Sequence, residues 1–269
     1  MRRFFALSLA TTLLGGCSRE DKPPPPVAAP APTPAQPSPE AAPSKLTLPL
    51  PPPPPKEPTA FDKAVQLHAQ GRQSGESGNF QEALKHFQQA RELAPEWPLP
   101  LYDTALTHLL MGESAKALQI YEQVDKLAPQ GFSDTKRVIE CLRREKSGRI
   151  PKGTFLKFIE AMRSPDPEEM RKKLEALTRS APNFYPAWRE LISYGEGLDE
   201  QERRLEKALS LKPDIESKGE LMLYKATLMR RRGKDAEARV LLQSLVDDPQ
   251  WLPSTVNGAK EALTLTLPP

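Results

Sequence analysis

A spacing of 34 residues ties two stretches of this chain together: Gly78, Ala83, Phe87, Ala90, Leu93 and Pro95 return 34 positions later as Gly112, Ala117, Tyr121, Val124, Leu127 and Pro129. A unit of this length holds one pair of helices, and one pair leaves an apolar side uncovered, so copies must stack on one another. The residue types fit that requirement. Gly78 and Gly112 stand where a first helix must end in a left-handed turn. Ala83 and Ala117 are small where two helices approach, and Phe87 and Tyr121, four residues on, lie on the same helical face and fill the groove between them. Pro95 and Pro129 stop the second helix.

Further along the register loosens. Pro182, Pro213 and Pro249 again follow apolar helical stretches, and Gly233, Ala238, Leu242 and Leu245 keep the mutual offsets of Gly78, Ala83, Phe87 and Ala90. Trp97, Phe184 and Trp251 each stand two residues after such a proline and are expected to cap contacts between repeats. This gives two clear repeats over 61–131, a degenerate stretch over 132–182, further repeats over 183–252, and a closing helix and tail over 253–269. In the degenerate stretch the pattern predicts a helix near Asp134 to Lys146, a break at Gly148 and Pro151, a helix near Thr154 to Met162 and another after Pro167. That is an odd number of helices: either one repeat has lost its signature or an extra helix interrupts the stack.

The segments GNFQEALKHFQQARELAP and GESAKALQIYEQVDKLAP resemble the tetratricopeptide repeat family. The resemblance implies an all-α fold, a right-handed α-solenoid of helix hairpins whose concave groove is lined by the first helix of each pair and holds peptides or helices of other proteins. Carried over to this sequence, the groove positions are His68, Arg72, Tyr102, Asp103, Leu106 and Leu109, with Tyr224 and Thr227 in the later repeat. Some members of the family grip a C-terminal carboxylate through Lys and Asn; His68 and Arg72 stand here instead, so that ligand is not implied. Tyr102, Leu106 and Leu109 point to an apolar partner helix.

The start of the chain is of another kind. Met1-Arg2-Arg3 precedes an uncharged apolar run from Phe4 to Leu14, shorter than the roughly 20 residues of a membrane-spanning helix, and reads as a secretory signal. Leu14-Gly15-Gly16-Cys17 resembles the lipobox of bacterial lipoproteins, which implies removal of residues 1–16 and a lipid on Cys17. Ser18 in the next position implies sorting to the outer membrane, facing the periplasm. More than half of the 31 prolines lie between Pro23 and Pro58, so residues 17–60 are expected to be a disordered, semi-rigid tether reaching on the order of 100 Å at about 3.1 Å per residue. Its proline runs read either as a spacer or as a docking peptide for an aromatic groove.

Catalysis and nucleic-acid binding find little support. The formal charge is only +3, and no clustered basic surface suited to nucleic acid is evident. There are three histidines and two cysteines, and none falls into a metal-binding or nucleophile motif, so neither enzyme nor cofactor nor metal site is expected. Cys141 lies beside Arg137, Arg143 and Arg144, which would lower the pKa of an exposed thiol; a small core residue is the other reading. Arg143-Arg144-Glu145-Lys146 and Arg230-Arg231-Arg232 sit at expected helix ends, where cations complement the helix dipole; docking onto an acidic partner is the alternative. Together these features predict a lipid-anchored scaffold of the cell envelope that binds proteins, with a chaperone-like carrier of exported clients as its first rival and an enzyme or enzyme regulator using Cys141 or the histidines as its second.

Overall fold

The structure is a computed structural model and describes residues 58–265. The signal sequence, Cys17 and nearly all of the proline-rich stretch therefore lie outside the described residues. Every regular element among the described residues is helical: α1 (Ala60–Glu76), α2 (Phe80–Leu93), α3 (Pro98–Leu110), α4 (Ser114–Leu127), α5 (Thr135–Lys146), α6 (Thr154–Met162), α7 (Pro167–Ser180), α8 (Tyr185–Leu191, continued by a 3-10 turn to Tyr194), α9 (Leu198–Ser210), α10 (Ile215–Arg231), α11 (Asp235–Asp247) and α12 (Pro253–Thr264).

Local chemistry sets these boundaries. α1 starts with a capping box: the Thr59 hydroxyl accepts from the Asp62 amide at 3.1 Å while the Asp62 carboxylate accepts from the Thr59 amide at 2.8 Å. Asp166 and Asp214 cap α7 and α10 in a similar way. The ends of α1 and α3 are built alike. Gly78 and Gly112 take φ of +81° and +80°. The residue after each, Asn79 or Glu113, donates its amide back to the carbonyl of Ser74 or His108 at 2.9 Å, so the last turn of the helix is satisfied.

Consecutive helices pack as hairpins: α1 on α2, α3 on α4, α6 on α7, α8 on α9 and α10 on α11, with α12 closing against α10 and α11. Ala83, Ala117 and Ala238 are fully buried at the crossings, and Phe87, Tyr121 and Leu242 fill the grooves four residues later, as the spacing requires. Phe184 is fully buried against Phe158. Trp97 meets Phe61 and His68, and Trp251 lies under the Lys218 ammonium, so the three aromatics after the prolines do sit between elements.

The degenerate stretch contains the helices its pattern predicts, and their packing identifies the odd one. α6 pairs with α7, whereas α5 stacks on α4 and meets α6 over only a few residues. α5 thus has no hairpin partner of its own.

One close approach holds the first hairpin together. A Cβ added at Gly71 would fall 2.5 Å from a Phe87 ring carbon and 3.1 Å from the Ala83 carbonyl oxygen, so only glycine lets α1 and α2 meet here. Gly71→Ala gains up to about 1 kcal/mol in helix propensity but overpacks a ring that is fully buried, at about 1–3 kcal/mol. A net loss of about 1 kcal/mol is expected, to be read as a lower urea midpoint at unchanged slope.

Candidate protein-binding surface

The first helices bury five of the eight side chains that the family pattern assigns to the groove. His68 is buried, its Nε2 at 2.7 Å from an Asp103 carboxylate oxygen and its ring packed against Phe87 and Trp97. Tyr102 is buried against Tyr121 and Phe132 and donates its hydroxyl to Asp134 at the start of α5. Leu106 and Leu109 are likewise buried. The expectation of an open groove at His68, Tyr102, Asp103, Leu106 and Leu109 is corrected accordingly, and the reason lies in the next elements. Phe155, Phe158, Ile159 and Met162 of α6 enclose a cavity of about 20 Å³ together with Tyr102, Leu106, Tyr121, Asp134 and Val138. The apolar helix that Tyr102 and Leu106 were expected to receive is supplied by the chain itself. Arg72 and Tyr224 remain partly exposed, and Thr227 is exposed with its hydroxyl bonded to the Leu223 carbonyl.

Two other residues escape the sequence reading. Phe61 and Val65 are 52% and 42% exposed. With exposed Ala69 they follow one another at four-residue spacing on the flank of α1 where Phe61 touches Trp97. Arg72, three residues beyond Ala69, continues the line. The spacing is visible in the sequence, but neither residue stands at a position that the family pattern marks.

α5 carries a second polar centre that joins distant parts of the chain. The Arg137 guanidinium donates to Asp134 at 2.9 Å and lies 3.8 Å from Glu220, while its amide donates to Glu216 at 3.3 Å. Arg144 donates to the carbonyl oxygens of Leu211 at 3.1 Å, Lys212 at 2.6 Å and Asn183 at 3.4 Å, and stacks over the Tyr185 ring. Tyr185 in turn donates to Asp214 at 2.6 Å. Cys141 lies inside this network with its thiol 3.8 Å from the Tyr185 hydroxyl. Burial pushes that thiol up; the Tyr185 hydrogen bond and the charges of Arg137 and Arg144 oppose the effect without reversing it. Cys141 is a small, fully buried core residue whose thiol is held toward its neutral form.

Glu216 feels the same burial. Its carboxyl is pushed up to about 8 by desolvation, against the pull of Arg137 and with help from Asp134 and Asp214. From its ordinary value of about 4.5 up to about 8 the fold therefore holds one more proton here than the unfolded chain. Its contribution to stability is fully present below the lower value and is lost as pH rises through the upper. Glu216→Gln keeps an acceptor for the Arg137 amide and removes the titration. The variant is expected to match the wild type near pH 5 and to be more stable near pH 8.5 by about 1–3 kcal/mol. Urea midpoints at both pH values check this.

The arginine run at the end of α10 and the other two histidines are partnered within the fold. Arg232 bonds Asp199 and Glu202, Arg231 bonds Gln201, and Arg230 bonds Asp235 and the Ala262 carbonyl, so the arginine run ties α9, α11 and α12 to α10. His86 and His108 lie against Glu82 and Glu113.

Stacked helix hairpins with a 34-residue unit define an all-α repeat protein, and in repeat length and packing it is tetratricopeptide-like. No protein-family model matches the chain, and no curated protein matches it. Among solved structures, MamA residues 41 to the end from Desulfovibrio magneticus RS-1 is 17% identical with a TM-score of 0.32, covering 76% of this chain and 98% of its own. TTC0263, a thermophilic TPR protein of Thermus thermophilus, is 20% identical with a TM-score of 0.33, covering 75% and 100%. YrrB, described as a TPR protein with an unusual peptide-binding site, is 12% identical with a TM-score of 0.32, covering 75% and 92%. Likeness at this level assigns no ligand to this chain, and the fold rests on its own repeat and helix pairs.

Proposed function

We propose that this chain is a non-enzymatic scaffold that binds other proteins along the first-helix side of its stack. It rides on the proline-rich tether, and a lipid on Cys17 holds it to a cell-envelope membrane, the outer membrane facing the periplasm. The observation that carries the binding reading is the uncharged stripe of Phe61, Val65 and Ala69, left exposed beside Trp97, whereas the other exposed large apolar side chains among the described residues, Leu93, Val240 and Leu265, stand singly. The lipobox-like Leu14-Gly15-Gly16-Cys17 supports the anchor.

Crosslinking at Phe61 followed by mass spectrometry tests the binding reading. One dominant partner is expected, lost in the Phe61→Asp, Val65→Asp double variant while the helical circular dichroism signal stays. A diffuse set of ligands that ignores the two substitutions would favour a carrier of exported clients and defeat the scaffold. The anchor has its own test: Cys17→Ala should abolish palmitate labelling and release the chain from membranes.

A further inference from the structure

We propose that α6 is a displaceable internal ligand, seated where a partner's amphipathic helix docks and latched there by Glu145. The proposal rests on the protein-binding reading and goes beyond it by naming a second, covered seat and the chemistry of the partner that takes it. Phe155, Phe158, Ile159 and Met162 stand at i, i+3, i+4 and i+7 of α6, the spacing by which an amphipathic helix anchors in an apolar groove. They close on Tyr102 and Leu106 of α3.

The attachment of α6 is also slight on its N-terminal side, where it meets α5 over only a few residues. It has nine residues, a length at which helices depend wholly on tertiary contacts. Its N-cap is Gly153, which has no side chain to cap with and sits at φ +77°. The amides of its N-cap and of its second residue go instead to one carboxylate on α5: Glu145 accepts from Gly153 at 2.9 Å and from Phe155 at 2.7 Å. A negative charge at a helix N-terminus stabilises the helix in place. Connecting segments flank α6 on both sides, 147–153 with Gly148 at φ +73° and 163–166 with Pro165, so that its departure parts it from α7 and uncovers Phe184. The occupant is therefore a partner helix that copies α6: an aromatic and aliphatic stripe with few charges, in competition with a tethered copy at high effective concentration.

The test uses the whole chain and a fluorescent synthetic peptide of residues 153–163, GTFLKFIEAMR, read by anisotropy. Wild type should bind the peptide weakly, Glu145→Ala at least 10-fold more tightly, and a peptide with Phe155→Asp and Phe158→Asp not at all. Equal affinity for both chains, or binding to neither, overturns the proposal. Hydrogen exchange on the wild type supplies the second measurement, independent of whether Glu145→Ala folds. The α6 amides should exchange at least 100-fold faster than those of α3 and α7, and equal protection also overturns it. Crosslinking at Phe61 is independent of both readouts. A partner captured there while α6 stays protected leaves the scaffold and removes the latch; an opening α6 with no captured partner does the reverse.

Discussion

Arg144→Ala is expected to cost about 2–4 kcal/mol, while Arg143→Ala, one residue away, costs less than about 0.5 kcal/mol. The two sit in one basic run and look alike in the sequence. Arg143 has a side chain 57% exposed and pairs with Glu122 at 2.7 Å on the surface, where an ion pair contributes little. Arg144 is only 7% exposed and gives hydrogen bonds to three backbone carbonyls beyond α5 as well as to Glu140. Alanine leaves the carbonyls of Asn183, Leu211 and Lys212 without this donor and removes the cation from the Tyr185 ring. In a domain of this size about 3 kcal/mol corresponds to a fall in Tm of roughly 10 °C. Calorimetry on the two variants side by side decides the point: equal shifts would mean that the α5 contacts do not hold the two halves of the stack together.

The same pair of arginines shows where sequence reading ends. Helix spacing and turn chemistry are local, so Gly78, Gly112 and the run from Thr154 to Met162 were legible without a structure, the last to both of its ends. The small residues at 83 and 117 and the rings at 87 and 121 were legible too, because the repeat prints them twice. What crosses the chain was not legible. Arg144 meets Leu211 and Lys212, and Arg137 meets Glu216, through partners 67 to 79 residues away, and nothing in RVIECLRRE announces them. The pattern marked a helix near Thr154 to Met162 but not that its apolar side chains would lie on Tyr102 and Leu106. Transferring groove positions from a family pattern assumes that nothing in the chain already fills the groove, and here α6 does.

That correction changes how binding is probed. Tyr102→Asp or Leu106→Asp would place a charge in the interior, and loss of a partner would then report unfolding. Phe61 and Val65 carry the information instead, because their side chains reach solvent and their loss leaves the hairpin crossings intact.

Phe87→Ala should be the most damaging single change in the first hairpin, at about 3–5 kcal/mol, because a fully buried ring leaves a cavity bounded by the backbone of α1. Its partner in this contact gives a sharper test. In the wild type a methyl at position 71 collides with the Phe87 ring at 2.5 Å; in the Phe87→Ala background that atom is gone, and the nearest remaining contact is the Ala83 carbonyl at 3.1 Å. Gly71→Ala should therefore change sign, from a loss of about 1 kcal/mol in the wild type to a gain of up to about 1 kcal/mol in the variant, where helix propensity acts without the clash. The coupling between the two positions, about 1–2 kcal/mol, lies within the range found for residues in direct contact. Urea unfolding of the four proteins of this cycle measures it. If Gly71→Ala were equally unfavourable in both backgrounds, the close approach of α1 to α2 would not depend on the ring, and Gly71 would be required by its own backbone instead.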